Sequence, residues 1–289
     1  MVSPEVAAAL AAGRPVVALE TSIVGQGLPA PHNLRAALGC EEAIRDEGAV
    51  AATVAVLDGQ LRVGLAKGDL ERIAAGSRKV SSRDLGPALA LGRAGATTVA
   101  ATMRAAGMAG IRFLATGGIG GVHRGHPEDQ SADLVELGRT PVAVFCAGPK
   151  IILDLRLTLE RLESLSVPVI GYECDELPAF YTRRSGCPVS ARVDGAEEAA
   201  RVIAAAWQTG SSGIVVAIPP PAELPDAEAL VERSLREVMA TAGDVTPRLL
   251  AKIAELSGGR SLDINVDLVV NNARVGARVA RAYAGQARR

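Results

Sequence analysis

The chain has 289 residues, with 31 basic and 32 acidic side chains and a formal net charge of −1. At 48% hydrophobic and 22% charged residues it can bury a sizeable core, in one large α/β domain or two small ones. Balanced charge and only seven aromatic residues exclude a polymeric nucleic-acid partner and an acidic membrane surface, because both a basic field and a stacking surface are lacking.

Short β-branched runs alternate with Ala- and Leu-rich amphipathic segments. Residues 15–19 read as a strand, 33–46 as a helix, and 49–57 and 61–65 as strands. Helices are expected over 84–91 and 97–106, with strands over 113–116 and 142–146. A helix over 150–162, a strand over 167–172, a helix over 196–209 and a strand over 213–218 follow. Several strands are apolar on both faces, as strands covered by helices are. The interleaving predicts an α/β layered fold around a largely parallel or mixed sheet, with residues 1–289 as a single domain.

Beyond the Pro219-Pro220-Pro221 turn the chain reads as helical, over 226–242, 247–256 and from about 262 to 284. Asp226 and Ser261 are the expected N-caps, and Gly258-Gly259 is the stop between the last two helices. About 65 residues is small for an independent core, so this part is expected to cap the same sheet. Glu5 and the lack of a basic N-terminal region argue against a secretory leader. No window approaches the roughly 18 apolar residues of a membrane span. Cys40, Cys146, Cys174 and Cys187 contain no CxxC pair and read as free thiols of a reducing cytoplasm.

Ligands of α/β folds bind where strands end, and four junctions carry chemistry there. In Leu19-Glu20-Thr21-Ser22, Glu20 reads either as a buried acid with a raised pKa or as a helix cap or surface ion pair. The segment Thr116-Gly117-Gly118-Ile119-Gly120-Gly121-Val122-His123-Arg124-Gly125 has five glycines in ten residues. Their amides can approach an anion, with Arg124 and His123 adding charge, although neither a Walker loop nor a dinucleotide fingerprint is present. The alternative is a flexible turn. In His126-Pro127-Glu128-Asp129-Gln130-Ser131-Ala132-Asp133, the acids Asp129 and Asp133 read as oxygen ligands of a hard divalent ion, or as an N-cap with solvated acids.

The fourth junction is Phe145-Cys146-Ala147-Gly148-Pro149-Lys150, where a Gly-Pro turn leads toward a helix expected to begin at Lys150. An amine beside a helix start and apolar strand ends is driven toward its neutral, nucleophilic form. The other reading is a lysine that reaches solvent. Composition adds a hint, since Lys67, Lys79, Lys150 and Lys252 are the only lysines and arginine supplies the other 27 basic residues. A lysine kept at such a junction points to a need for an amine, which guanidinium cannot replace. Lys79 lies in Ser77-Arg78-Lys79-Val80-Ser81-Ser82-Arg83-Asp84, where cations and hydroxyls suit a phosphate. On the last helix, Asn272 reads equally as a substrate contact or a packing contact; Asn265, Asn271 and Arg274 read more simply as packing. His32 reads as part of a turn and Trp207 as core.

In this order, the motifs resemble the pseudouridine-5′-phosphate glycosidase family. The resemblance lies in Ala18-Leu19-Glu20-Thr21-Ser22-Ile23, Arg78-Lys79 before Asp84-Leu85, the glycine segment from Thr116 to Gly125, Ser131-Ala132-Asp133-Leu134, Cys146-Ala147-Gly148-Pro149-Lys150-Ile151-Ile152-Leu153-Asp154, and Asn271-Asn272-Ala273-Arg274. It runs from about residue 4 to 284, and the same unit occurs in proteins linked to the pigment indigoidine. The resemblance implies a three-layer α/β/α fold, a homotrimer, and reversible cleavage of pseudouridine 5′-phosphate to uracil and ribose 5-phosphate with a divalent ion, usually Mn2+. It further implies Lys150 as nucleophile, Glu20 as proton donor, Lys79, Val99, Ser131, Ala132 and Asp133 as substrate contacts, and Asp129 as metal ligand.

The chemistry suits those residue types. Pseudouridine joins C1′ to C5 of uracil through carbon, a harder leaving group than the oxygen that paired carboxylates expel. An imine between ring-opened ribose and Lys150 supplies an electron sink, and Glu20 assists ring opening and proton transfer. Lys79, Arg124 and the loop beginning at Thr116 are the expected phosphate ligands, using binding energy remote from the reacting bond. Two other readings share these residues: a Schiff-base lyase or aldolase of sugar phosphates, and a non-catalytic sugar-phosphate sensor.

Overall fold

The computed structural model describes residues 1–66, 68–238 and 245–286. Helix α1 (Pro4–Ala11) and strand β1 (Val16–Leu19) lead to α2 (His32–Asp46), β2 (Val50–Leu57) and β3 (Gln60–Val63). Next come α3 (Asp69–Ala74), β4 (Arg78–Val80), α4 (Leu85–Ala90), β5 (Gly95–Thr97), α5 (Val99–Ala109) and β6 (Phe113–Ala115). A hairpin of β7 (Val122–His123) and β8 (His126–Gln130) precedes α6 (Ala132–Leu137), β9 (Ala143–Cys146), β10 (Leu153–Asp154) and α7 (Leu155–Ser164). Strand β11 (Val169–Tyr172), β12 (Ala191–Val193), α8 (Ala196–Gln208) and β13 (Ile214–Ala217) are followed by α9 (Ala227–Val238), α10 (Val245–Leu256) and α11 (Arg260–Gln286).

The main sheet runs β12-β11-β13-β9-β6-β1-β2-β5-β4, with β3 added beside β2. From β12 to β2 every pairing is parallel, whereas β3 and β5 pair antiparallel with β2. Because side chains alternate along a strand, one sheet builds two cores. Val17, Phe113, Phe145, Ile170 and Val216 face α2, α8 and the C-terminal helices, while Val16, Leu114, Val144, Val169 and Val215 face α1, α5, α6 and α7. Helices on both faces make the three-layer α/β/α arrangement.

The C-terminal helices cap this sheet. Helix α11 packs across β1, β6 and β9. A Cβ at Gly276 would lie 3.3 Å from the ring of Phe145, so a small residue lets the helix come close there. Gly258 and Gly259, at φ 61° and 83°, turn the chain between α10 and α11, as glycine readily does. Trp207 packs edge-on against Phe113 and Tyr283, with centroids 5.9 and 5.4 Å apart. All four cysteines are free. No helix among the described residues is long and apolar enough to cross a membrane.

Several expected elements shift. Residues 95–97 form a strand, so the helix expected over 97–106 begins after Thr98, whose side chain caps it. Asp84 closes a 3-10 turn, and its carboxylate accepts from the backbone N–H of Ser81 at 3.0 Å. Ser261 lies inside α11, where its amide donates to Ser257 Oγ at 3.2 Å. Residues 239–242 of the helix expected over 226–242, and Lys67, lie outside the described residues. The largest correction concerns Lys150, because α7 starts at Leu155. Leu153 and Asp154 pair with His123 and Val122 instead, and Asp154 Oδ1 caps α7 by accepting from the Leu157 amide at 3.0 Å. A local cap and a strand partner together override the helical propensity of 150–154.

Candidate active site

Strands β1 and β6 are neighbours, yet the chain leaves β1 toward β2 and later returns to add β6 and β9 on the other side. This reversal opens a crevice at the carboxyl ends of the strands, where α/β folds hold ligands. Glu20 follows β1, Thr116 follows β6, and the turn carrying Lys150 follows β9.

Glu20 is 8% exposed and accepts hydrogen bonds from Ser22 Oγ and Thr116 Oγ1. Burial pushes its pKa above the usual carboxylate range, and Asp133 adds to the rise. The Lys150 cation and the two hydroxyls pull the other way without overcoming desolvation. Of the two sequence readings of Glu20, the geometry selects the buried acid.

The Lys150 turn is laced to the glycine loop. The amides of Ala147, Ile119 and Lys150 donate to the carbonyls of Gly117, Gly148 and Ile119, at 2.9, 3.2 and 3.1 Å. Gly148 has φ +82°, and a Cβ there would lie 2.1 Å from the carbonyl oxygen of Pro178. Gly148→Ala combines a left-handed backbone with overlap against rigid main chain and is expected to cost about 2–5 kcal/mol. The check is a lower urea midpoint at unchanged slope.

Two connected spaces meet at Glu20, Ser22, Lys79 and Lys150, which line both. The larger, of about 580 Å3, is bordered by Val99, Ser131, Ala132, Asp133 and Asp129 as well. Val99 is the first residue of α5, so the positive end of an 11-residue helix opens into this space. Asp133 is 5% exposed, and its two oxygens accept from the amides of Ala100 and Gly120 at 2.9 and 2.8 Å. It thereby ties the start of α5 to the glycine loop. Ser131 caps α6 and packs against Gly120, where a Cβ would lie 2.2 Å from its Oγ.

The smaller space, of about 100 Å3, is lined by Thr116, Gly117, Gly118, Gln26, Phe180 and Asn265, among others. Sequence reasoning missed Gln26, Phe180 and Leu250, and rated Asn265 as a packing contact. Phe180 lies outside any regular element, at φ 63°, and its ring covers Gly118, where a Cβ would be 2.6 Å away. The two glycines in that place signal such an approach in retrospect. Ser81, Thr98 and Arg83 add polar groups to the larger space.

Other expected residues stand elsewhere. Arg124 lines neither space, and its guanidinium donates to the carbonyls of Ile151 and Leu153 at 3.0 and 3.1 Å. Asn272 is fully buried beneath the glycine loop, where its amide donates to the carbonyls of Thr116 and Gly117 at 2.9 and 3.4 Å. Arg124 thus holds the segment after Lys150, and Asn272 holds the underside of the glycine loop. Asp129 lies on the rim with its side chain 66% exposed, 3.4 Å from His123 Nδ1. Among the described residues no three His, Cys, Asp or Glu side chains converge into a metal cage. Lys252 is held by Glu237 and Glu255 on the surface, at 2.8 and 2.9 Å.

A switch-point crevice with a buried acid, an amine and a helix N-terminus defines a three-layer α/β protein equipped for an anionic small molecule. The chain belongs to the indigoidine synthase A-like family, whose model matches residues 5–282. It is 52% identical to the pseudouridine-5′-phosphate glycosidase of Deinococcus radiodurans, covering 97% of this chain and 94% of that one. Identity to the protein of that name from Escherichia coli K12 is 48%, covering 98% and 95%. The solved prealnumycin C-glycosynthase AlnA, in complex with ribulose 5-phosphate, superposes with a TM-score of 0.90 at 41% identity, covering 100% of this chain and 98% of that one. An indigoidine synthase A-like protein from Thermotoga maritima superposes with a TM-score of 0.86 at 33% identity, covering 93% and 92%.

Proposed function

We propose that this chain catalyses reversible cleavage of the C1′–C5 bond of pseudouridine 5′-phosphate, giving uracil and ribose 5-phosphate. The observation that carries this reading is the position of Glu20 and Lys150, both lining the junction of the two spaces. A pentose phosphate fits the larger space and a pyrimidine the smaller, with the bond to be broken between them. The relatives named as glycosidases and the sugar-phosphate complex of AlnA support the same substrate class.

In cleavage, Glu20 donates a proton as the ribose ring opens, and the unprotonated Lys150 amine bonds to C1′. The new C1′-bound nitrogen gives a proton back to the Glu20 carboxylate, and its freed lone pair forms the protonated imine while the C1′–C5 electrons return to uracil, whose C5 takes up that proton from Glu20. Water releases ribose 5-phosphate from the lysine. In the reverse direction the protonated imine accepts the electron pair from C5. Lys79, Ser131 and the backbone amide of Val99 hold the phosphate, with Ala132 and Asp133 shaping that wall. Thr116 keeps Glu20 oriented, and Gln26 and Asn265 face the base.

A hard divalent ion, manganese by family resemblance, fits Asp129 only as a hydrated ion, since a lone rim carboxylate leaves most ligand positions to water and substrate. When bound it would orient water and phosphate near the rim. A homotrimer working in the cytoplasm belongs to the same proposal, and the free thiols suit a reducing compartment.

The test is uracil release from pseudouridine 5′-phosphate, with and without Mn2+. Turnover, together with uracil-dependent consumption of ribose 5-phosphate, is expected. Thermal stabilisation by ribose 5-phosphate with no turnover in either condition would establish a sensor instead.

A further inference from the structure

The last residue but one of the glycine segment is Arg124, an arginine that sequence reasoning assigned to phosphate. Its guanidinium is already committed elsewhere: Nη2 donates to the carbonyl of Ile151 at 3.0 Å and Nε to that of Leu153 at 3.1 Å. These residues lie one and three positions after Lys150. The turn itself is closed by the Leu153 amide, which donates to the Lys150 carbonyl at 2.9 Å, and is anchored on the other side by the Lys150 amide on Ile119. Beyond the turn, only Leu153 and Asp154 pair with the hairpin strand β7. A ladder of two residues is a weak fastening, and the planar fork of Arg124 extends it by two hydrogen bonds across the same junction.

From this geometry we infer that Arg124 is a positioning residue for the Lys150 amine, a clasp that fixes the 150–153 turn. The inference rests on the lysine chemistry proposed above. Bond formation to C1′ requires the amine at near-contact distance and correct angle, and a displacement of about 1 Å can cost on the order of a hundredfold in rate. Loss of the clasp frees two carbonyls to turn toward water and lets the turn sample other orientations. Sugar-phosphate binding, built from Lys79, Ser131 and the start of α5, does not pass through this arginine.

The experiment compares full-length wild type, Arg124→Ala and Arg124→Lys by borohydride trapping with ribose 5-phosphate, peptide mapping, steady-state uracil release and inhibition by inorganic phosphate. Rates are scaled to the folded fraction from thermal melts. Both variants are expected to form the Lys150 adduct about 10- to 100-fold more slowly, with kcat falling in parallel. KM and phosphate inhibition should stay within about threefold of wild type, and added methylguanidinium should restore part of the Arg124→Ala rate without affecting wild type. Lysine keeps the charge but not the fork, so Arg124→Lys should resemble Arg124→Ala. A phosphate-binding role gives the opposite pattern: Arg124→Lys near wild type, with KM and phosphate inhibition weakened in Arg124→Ala. That pattern overturns the inference, as do wild-type trapping rates in both variants or a loss wholly explained by unfolding. Wild type without an adduct on Lys150 overturns the lysine chemistry itself, and the inference with it.

Discussion

Lys150→Ala is expected to lower uracil release from pseudouridine 5′-phosphate by about 10⁴-fold or more, equivalent to about 5.5 kcal/mol of lost transition-state stabilisation. The other lysine that lines both spaces, Lys79, projects from the edge strand β4 and is assigned to the phosphate in the proposed reading, so it is not expected to take over the bond to C1′. Lys150→Arg should be as inactive as the alanine variant, because guanidinium keeps the charge without a usable lone pair. Folding and sugar-phosphate binding should survive both changes, since the lysine side chain is partly exposed and the turn is held by main-chain bonds. Trapping with ribose 5-phosphate reads the same point structurally. Peptide mapping should place the adduct on Lys150 in wild type and find none in either variant. Turnover within tenfold of wild type in Lys150→Ala would eliminate the imine.

Glu20→Ala should cost about 10²- to 10⁴-fold in turnover, the usual range for a positioned acid. The pH dependence supplies a sharper check. Desolvation raises the pKa of Glu20, so its protonated form persists above the usual carboxylate range. In the proposed role of donor in cleavage it is active when protonated, and kcat should therefore fall as pH climbs through that raised value. Glu20→Gln should be slow and lack this limb. Thr116→Val removes a hydroxyl that lowers the pKa, so the limb should move to higher pH.

Stability follows the same linkage. A carboxyl with a folded pKa above its unfolded value contributes stability that is complete below the unfolded value and lost as pH rises through the folded one. Glu20→Gln escapes the cost of burying a charge. Its melting temperature relative to wild type should therefore be more favourable at pH 8 than at pH 5. A pH-independent difference would place the carboxyl outside the buried setting described here.

Much of this was legible along the chain because it depends on local pattern. Double-sided apolar runs announced the central strands, and each observed strand among them lies within two residues of its expected bounds. The four junctions were found because a polar residue directly after such a strand has few places to go but the crevice. What was not legible is mostly short or indirect. Strands β4, β5, β10 and β12 have two or three residues, too few for a period to show. Asn272 and Arg124 were recognised as polar groups near the right motif, but a one-dimensional reading cannot tell a side chain aimed at substrate from one aimed at main-chain carbonyls. Phe180 and Leu250 reach the smaller space from segments about 60 and 130 residues after the glycine loop, and nothing in their own neighbourhoods signals it.

By itself the sequence determined the layered α/β class, the family resemblance and the chemical types in play: a carboxylate, two unusual lysines and a glycine-rich loop. The class and the chemical types follow from composition and spacing, which are local, and the resemblance rests on the motifs taken together. The tertiary structure decided which of these groups share a space. Reversal of the chain between β1 and β6 brings Glu20 beside Thr116 and Lys150, and the burial produced there turns an ordinary carboxyl into an acid of raised pKa. It also removed the helix start from Lys150 and replaced it with a strand pairing and an arginine clasp. Desolvation and tertiary pairing depend on segments from about 30 to 130 residues apart, and only the folded chain brings those together.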